Sequence, residues 1–113
     1  MTEVLFSDEF KALAPDYRML QIEADVEGGD TPQELTDEIN RLADSMRQVM
    51  EIADINRRPG IAATRAAYKR FGKDPNRYRP SQEQMSRRIL KQLGLYVVNN
   101  LADAGNLLSL KCG

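Results

Sequence analysis

The fold is decided by residues 78–113, YRPSQEQMSRRILKQLGLYVVNNLADAGNLLSLKCG, which contain two helical patterns in succession. In the first pattern, apolar residues recur at helical spacing and basic residues fall on the opposite side. Ser81 is the predicted N-cap, and Gln84 completes a capping box with it. Gly94 is predicted to end this helix in the left-handed conformation. The basic side forms a ridge that consists of Arg87, Arg88 and Lys91.

The second helical pattern begins at Asn99 or Asn100, since either side chain can cap a helix. Asp103 and Asn106 follow one turn apart and therefore share a face. The amide of Asn106 can orient a carbonyl or a hydroxyl group but cannot act as a base. Asp103 is the only carboxylate nearby, and we interpret it as an N-cap partner of Asn100 rather than as a catalytic group. The catalytic residue, if the chain has one, stays unidentified.

Charge is divided unevenly along the chain, although the formal net charge is only −1. Residues 1–54 contain 4 basic and 14 acidic residues, whereas residues 57–91 contain 11 basic and 2 acidic ones. Such asymmetry indicates nucleic-acid contact, and pairing between the two halves would produce the same pattern. Tyr78 lies between two arginines, so it is either an exposed ring that stacks on a base or, as we prefer, a buried ring that pins its loop. The candidate nucleic-acid-binding residues are Lys73, Arg79, Arg87, Arg88 and Lys91.

The run from Asn99 to Asn106, with Leu110 and Gly113, is similar to the pattern N-N-x-V-D-x-x-N-x-x-x-L-x-x-G. That pattern belongs to the B3/B4 domain of the phenylalanyl-tRNA synthetase β subunit. The helix that precedes it also resembles the family, and residues 68–81 resemble stand-alone bacterial proteins built from this domain alone. The resemblance spans roughly the second half of the chain, and the first half agrees only in the order of its elements.

In that family the domain holds an editing pocket, where a mischarged amino acid, typically tyrosine, is hydrolysed from its tRNA. The resemblance therefore implies a module that binds tRNA or aminoacyl-tRNA, without a cofactor, and that hydrolyses mischarged aminoacyl-tRNA when complete. Asn106 matches a pocket-lining asparagine, whereas Gly105 stands where the synthetases carry a hydroxyl residue. The later histidine and glutamate of the family pocket match no residue of this chain, so catalysis is left open. The implied substrate pocket consists of Asn99, Asp103, Gly105 and Asn106.

The first half of the chain predicts a short β-sheet. Residues 17–26 alternate between apolar and polar side chains, as a half-buried strand does, and residues 3–6 form a possible edge strand. With about four or five helices, the expected fold is α+β and mostly helical. Two strands rarely make a stable sheet. The resemblance therefore implies that residues 1–113 form a single domain, the N-terminal part of a B3/B4-like domain. Its sheet would be completed by a missing C-terminal half or by a second copy in a homodimer.

A long acidic helix is predicted from Thr31 to Asp54. Thr31 is the expected N-cap and Glu34 closes a capping box with it. An apolar seam runs along this helix, and we interpret it as facing the core rather than a partner. Docking of a partner protein on that seam is the alternative function, a structural or interaction module without catalysis. Binding of a free amino acid is a further alternative. The seam residues are Leu35, Ile39, Leu42, Met46, Val49 and Ala53.

Composition excludes several kinds of site. The chain has no histidine and one cysteine, so a zinc site and a Ser-His-Asp triad are not expected, and neither is an internal disulfide. A single cysteine fits a reducing compartment, and no basic and apolar leader is visible, so we expect a cytoplasmic protein. No stretch of the sequence is apolar enough to suggest a membrane span.

Overall fold

The computed structural model describes residues 2–113, and over this range the chain forms helices and no β-strand. The predicted α+β fold is therefore wrong, and the described chain is all-helical. The six helices are α1 (Asp8–Leu13), α2 (Gln33–Val49), α3 (Ile52–Ile55), α4 (Pro59–Arg70), α5 (Ser81–Leu90) and α6 (Asn100–Cys112).

The predicted strand over residues 17–26 takes no regular secondary structure. Its alternating apolar side chains bury no face, since Leu20 and Ile22 are 85% and 76% exposed. A strand needs a neighbour to accept and donate its backbone hydrogen bonds. Residues 3–6 do not pair with it, and no other described segment does. The alternation is present in the sequence, but the pattern alone cannot supply the missing partner.

The core lies where α2, α5 and α6 meet, and α5 is its centre because it contacts α2, α3 and α6. Met46 from α2, Ile89 from α5 and Leu110 from α6 are buried together with Ala43. The prediction that the apolar seam of the acidic helix faces the core is confirmed at Met46, which is 5% exposed, but is wrong at Val49, which is 78% exposed. The two C-terminal helices, α5 and α6, pack against each other, whereas Leu93, at 61% exposed, lies outside the core.

The starts of α2 and α5 differ from the prediction, whereas α1 begins with a side-chain cap. Ser7 caps α1, and its hydroxyl accepts a hydrogen bond from the Phe10 amide. At α2 and α5, by contrast, the cap positions are occupied by Pro32 and Pro80, which have no side chain that can accept a hydrogen bond. Ser81 is therefore the first residue of α5 rather than its cap, and the expected capping box is absent. In both helices, proline sets the extended backbone that a cap position requires.

The ends of α2 and α5 also differ from the prediction. The predicted helix to Asp54 breaks after Val49, and a new capping box between Glu51 and Asp54 starts α3. α5 ends at Leu90, and the left-handed residue that follows is Gln92, with φ of 59°, while Gly94 takes the same conformation two residues later. Because Gly94 was the only glycine near this end, Gln92 gave no signal in the sequence.

The molecule is flat and extended for its length. Its radius of gyration is 15.9 Å and its extents are 43 × 39 × 20 Å, whereas a compact domain of about 100 residues has a radius of about 13 Å. The excess is explained by residues 2–30, which add only Ala14 to the buried hydrophobic side chains. Across residues 2–113, every helix is too short or too polar to cross a membrane.

Candidate functional site

Two asparagines at the start of α6 have structural roles. The Asn99 side chain caps the helix, because its Oδ1 accepts a hydrogen bond from the Ala102 amide at 2.8 Å. The Asn100 amide reaches across to the first half of the chain. Its Nδ2 donates to the Glu27 carbonyl at 2.9 Å, and its Oδ1 accepts from the Gly29 amide at 3.0 Å. The backbone amide of Asn100 donates to the Gly29 carbonyl as well, so residues 27–29 are fixed to α6.

Asp103 is buried, with 3% of its surface exposed, and both of its carboxylate oxygens have partners. The Val98 amide donates to Oδ1 and Oδ2, each at 3.3 Å, and the Thr31 hydroxyl donates to Oδ2. The expected partnership with Asn100 is therefore wrong, because Asp103 instead joins the start of α6 to the segment before α2. A buried carboxylate already occupied by two donors is poorly placed to accept a substrate proton.

Asn106 and Asp103 line a small cavity of about 70 Å³ at the junction of α2, α5 and α6. The other two predicted pocket residues, Asn99 and Gly105, are exposed and do not line it. Within residues 2–113 the Asn106 amide makes no side-chain hydrogen bond, so its donors and its acceptor remain free to bind a ligand group. The cavity is well below the roughly 300–1,000 Å³ of small-molecule pockets. It admits a small polar group such as a carbonyl or hydroxyl, but not a whole amino acid.

The arginines of the predicted basic ridge are bound within the chain. Arg87 Nε donates to the Glu83 carboxylate at 3.2 Å, and only 17% of the Arg87 side chain is exposed. Arg88 Nε donates to the Gly94 carbonyl at 3.0 Å, and its guanidinium carbon lies 4.6 Å from the centre of the Tyr96 ring. Arg87 is therefore held by α5 itself and Arg88 holds the segment after α5, whereas Lys91 is exposed to solvent.

A buried ion pair that the sequence analysis missed lies beside this ridge. Arg65 Nη1 is 2.9 Å from Glu83, whose side chain has no exposure to solvent. The same guanidinium donates to the Pro75 carbonyl at 3.2 Å and to Asn76 Oδ1 at 2.6 Å. Only 15% of the Arg65 side chain is exposed, so this cation lies inside the fold rather than on its outer surface. Glu83 was the available signal in the sequence, because residues 57–91 contain only two acidic residues beside eleven basic ones.

The loop between α4 and α5 carries an exposed aromatic ring flanked by cations. Tyr78 is 47% exposed, so the preferred prediction of a buried tyrosine is wrong. Lys73 Nζ lies 5.4 Å from the centre of the Tyr78 ring, and the Arg77 guanidinium carbon lies 5.3 Å from it. We call Lys73, Arg77 and Tyr78 the Tyr78 platform. Arg79 is next to it, with 39% of its side chain exposed and its Nε 3.9 Å from Glu83.

The charges of the Tyr78 platform are not neutralised within the described chain. Neither Lys73 nor Arg77 forms a salt bridge with any of residues 2–113. The residues predicted for nucleic-acid binding therefore divide into two groups. Lys73, Arg79 and Lys91 remain exposed, whereas Arg87 and Arg88 serve the fold. Over the same residues, no cluster of three or more carboxylate, thiol or imidazole groups is arranged to hold a metal ion.

Comparisons of the chain with protein-family models, with curated proteins and with solved structures find no match. The similarity of residues 99–113 to the B3/B4 pattern therefore stays a prediction that rests on those residues.

Proposed function

We propose that this chain contributes an RNA-binding surface directed at tRNA or aminoacyl-tRNA, with the Tyr78 platform at its centre. The observation that carries the proposal is the half-exposed Tyr78 ring, which has Lys73 and Arg77 as close neighbours. The resemblance to the B3/B4 domain supplies the kind of RNA, and the platform supplies the means of binding it.

The chemistry of the platform matches the two recognition elements of an unpaired nucleotide. Every base has a π face that can stack on a tyrosine ring, an interaction that contributes about 1–3 kcal/mol per base. Each lysine or arginine that neutralises a phosphate releases counterions, which makes the binding dependent on salt. Because Lys73 and Arg77 form no salt bridge among residues 2–113, a phosphate does not have to displace an acidic side chain from them.

The platform is also held in position before a ligand arrives. The loop that carries Tyr78 is fixed at its middle by the two hydrogen bonds from Arg65 to Pro75 and Asn76. It is closed on itself by the Asp74 carbonyl, which accepts from the Arg77 and Tyr78 amides at 3.1 and 2.9 Å. A surface ordered in advance loses less conformational entropy on binding.

Binding rather than hydrolysis is the activity that these residues support. The chain contains no histidine, and the carboxylate that lines the small cavity with Asn106 is Asp103, which already accepts hydrogen bonds from Thr31 and Val98. Asn106 can hold a carbonyl or a hydroxyl in place but cannot remove a proton. We therefore assign Asn106 an orienting role and name no catalytic residue or cofactor. Since aminoacyl-tRNA is used in the cytoplasm, we propose that the protein works there.

The alternative of a partner-docking helix receives no support from the packing. That alternative required an exposed seam around Leu42 and Met46, and Met46 is buried while Leu42 packs against the core. Binding of a free amino acid is likewise not favoured, because the cavity at Asn106 is about 70 Å³.

The proposal is tested by measuring the anisotropy of fluorescently labelled tRNA over a range of salt concentrations. Tyr78→Ala is expected to weaken binding about tenfold, whereas Tyr78→Phe keeps the stacking surface and the affinity. Replacing Lys73 and Arg77 by Gln is expected to lower the slope of log affinity against log salt by about 1.5. Arg41→Gln is the matched control, since it removes an exposed charge from α2. Binding that is absent, or that ignores both salt and Tyr78, overturns the proposal.

A second experiment separates binding from hydrolysis. The chain is incubated with tRNA specific for phenylalanine but charged with tyrosine, and the loss of the amino acid is followed against buffer alone. We expect the same rate of deacylation as in buffer alone, since none of the described residues beside Asn106 is free to act as a base. Faster deacylation that Asn106→Ala removes would instead assign the chain a hydrolytic site.

A further inference from the structure

A second concave surface lies between α1 and α4, away from the small cavity at Asn106. It is a groove of about 900 Å³, lined by the turn that follows α1 and by one face of α4. This volume is near the upper end of the roughly 300–1,000 Å³ found for ligand pockets. The groove is therefore large enough for one or more nucleotides.

The walls of the groove are aromatic. The Phe10 ring makes an edge contact with the Tyr17 ring, with centroids 5.1 Å apart, and a tilted contact with the Phe71 ring at 5.3 Å. Tyr17 and Phe71 are 52% and 36% exposed, so each presents ring surface to solvent. Tyr68 lines the same groove from α4. Exposed aromatic rings of this kind are stacking surfaces for unpaired bases.

The charge of the groove indicates an anionic occupant. Three basic side chains line it, Arg18, Arg70 and Lys73, against the single carboxylate of Asp16. Arg70 joins the two walls, because its Nε donates to the Leu13 carbonyl at 3.0 Å. Arg18 and Lys73 form no salt bridge with any of residues 2–113, so their charges are not neutralised by the described chain.

Lys73 belongs to both the groove and the Tyr78 platform. The two surfaces therefore meet at one cation, and a strand stacked on Tyr78 can continue past Lys73 into the groove. From this continuity, the aromatic walls and the excess of positive charge, we propose that the groove binds a single-stranded segment of the RNA. Bases would stack on Tyr17 and Phe71, and phosphates would lie at Arg18 and Lys73. This inference rests on the proposed RNA-binding function and specifies which part of the RNA enters the groove.

The test compares two labelled RNA hairpins of identical stem, one blunt and one with a single-stranded 3′ overhang of about six nucleotides. The hairpin with the overhang is expected to bind about tenfold more tightly. Tyr17→Ala and Arg18→Gln are expected to remove that advantage while the affinity for the blunt hairpin is unchanged. Tyr78→Ala is expected to weaken both. Arg18→Gln changes an exposed side chain, so it tests the groove even if Tyr17→Ala disturbs α1, and Arg41→Gln is its charge-matched control.

The outcomes distinguish the two proposals. If both hairpins bind equally and depend on Tyr78, the groove is not a strand site, although the Tyr78 platform still binds RNA. If neither hairpin binds, both proposals are wrong. If an acidic amphipathic peptide competes for Arg18 and Tyr17 while the overhang has no effect, the groove docks a protein segment and the inference is overturned.

Discussion

The guanidinium of Arg65 on α4 lies 2.9 Å from the carboxylate of Glu83 on α5, a side chain with no exposure to solvent. Arg87, one turn further along α5, contacts the same carboxylate at 3.2 Å. Because Arg65 also donates to the Pro75 carbonyl, one buried carboxylate joins two helices to the loop of the Tyr78 platform. The position of the proposed RNA-binding surface therefore depends on an ion pair that does not itself contact the RNA.

We predict that Glu83→Gln lowers the free energy of unfolding by about 3–5 kcal/mol, since removing one partner leaves buried guanidinium groups unpaired. Chemical denaturation followed by circular dichroism measures this loss. Glu3→Gln is the control, because Glu3 is exposed and a substitution there changes stability by less than about 0.5 kcal/mol. Equal stability of the two variants would show that Glu83 does not hold α4 and α5 together.

Arg65→Lys is expected to free the platform loop while leaving the helices folded. Lysine keeps the charge near Glu83 but loses the planar fork that reaches Pro75 and Asn76. Amide hydrogen exchange over residues 73–80 should therefore become faster, and tRNA binding should weaken with it. Arg57→Lys is the matched control, since 78% of the Arg57 side chain is exposed. Unchanged exchange in the loop would contradict the anchoring role of Arg65.

Asn100→Ala is predicted to loosen the attachment of residues 27–29 to α6, because it removes two of three hydrogen bonds, each of which contributes about 1 kcal/mol. The expected result is faster proteolysis at Gly28 and Gly29, together with a lower unfolding midpoint. Asn106→Ala is the control on the same helix, since the Asn106 amide has no side-chain hydrogen bond within residues 2–113, and it should leave stability unchanged. Identical behaviour of the two variants would contradict the separate roles assigned to them.

The helical half of the chain was predictable because its signals are local. Ser7 precedes two acidic residues, Asn99 follows an apolar run, and Gly72 follows the last turn of α4 with a positive φ of 75°. The sheet was not predictable in the same way. Strand formation depends on a partner elsewhere, and Leu20 and Ile22 show the strand pattern although no described segment pairs with them.

The roles of the predicted site residues depended on contacts that are distant in sequence. Asn100 forms hydrogen bonds with Gly29 and Glu27, which precede it by 71 and 73 positions. Asp103 accepts from Thr31, which precedes it by 72 positions. Neither spacing nor periodicity carries information over such distances. The cations that flank Tyr78 are local in sequence, whereas the loop that carries Tyr78 is bonded by Arg65 from another helix.

Two glycine positions should respond in opposite directions to alanine. At Gly60 in the first turn of α4, an added Cβ would collide with the Gly113 carbonyl, which accepts the Ile61 amide. Since that neighbour is backbone, Gly60→Ala is expected to cost about 1–3 kcal/mol. At Gly105 within α6 the Cβ meets nothing within 4 Å. Gly105→Ala should therefore stabilise the helix by about 0.5–1 kcal/mol. Thermal unfolding measures both, and a stabilising Gly60→Ala would contradict the packing described here.

The contact between Glu38 on α2 and Lys111 on α6 is expected to make stability depend on pH. Lys111 Nζ lies 2.6 Å from Glu38 Oε1, and this hydrogen bond, with the charge of the ammonium group, holds the pKa of Glu38 below its usual 4.5. A carboxyl group whose pKa is lower in the folded state stabilises the fold above its unfolded pKa. That stabilisation is lost as the pH falls through the folded value.

The native chain should therefore be more stable than Glu38→Gln at pH 7, and the difference should disappear in acid below the lowered pKa. The difference is expected to be small and to shrink with added salt, because both side chains are exposed. Denaturation midpoints of the native chain, Glu38→Gln, Lys111→Gln and the double variant, measured from pH 7 to pH 3, form the test. In the double variant the second substitution should add almost nothing to the first. A difference that stays constant across this range would show that the pair does not contribute through the charge of Glu38.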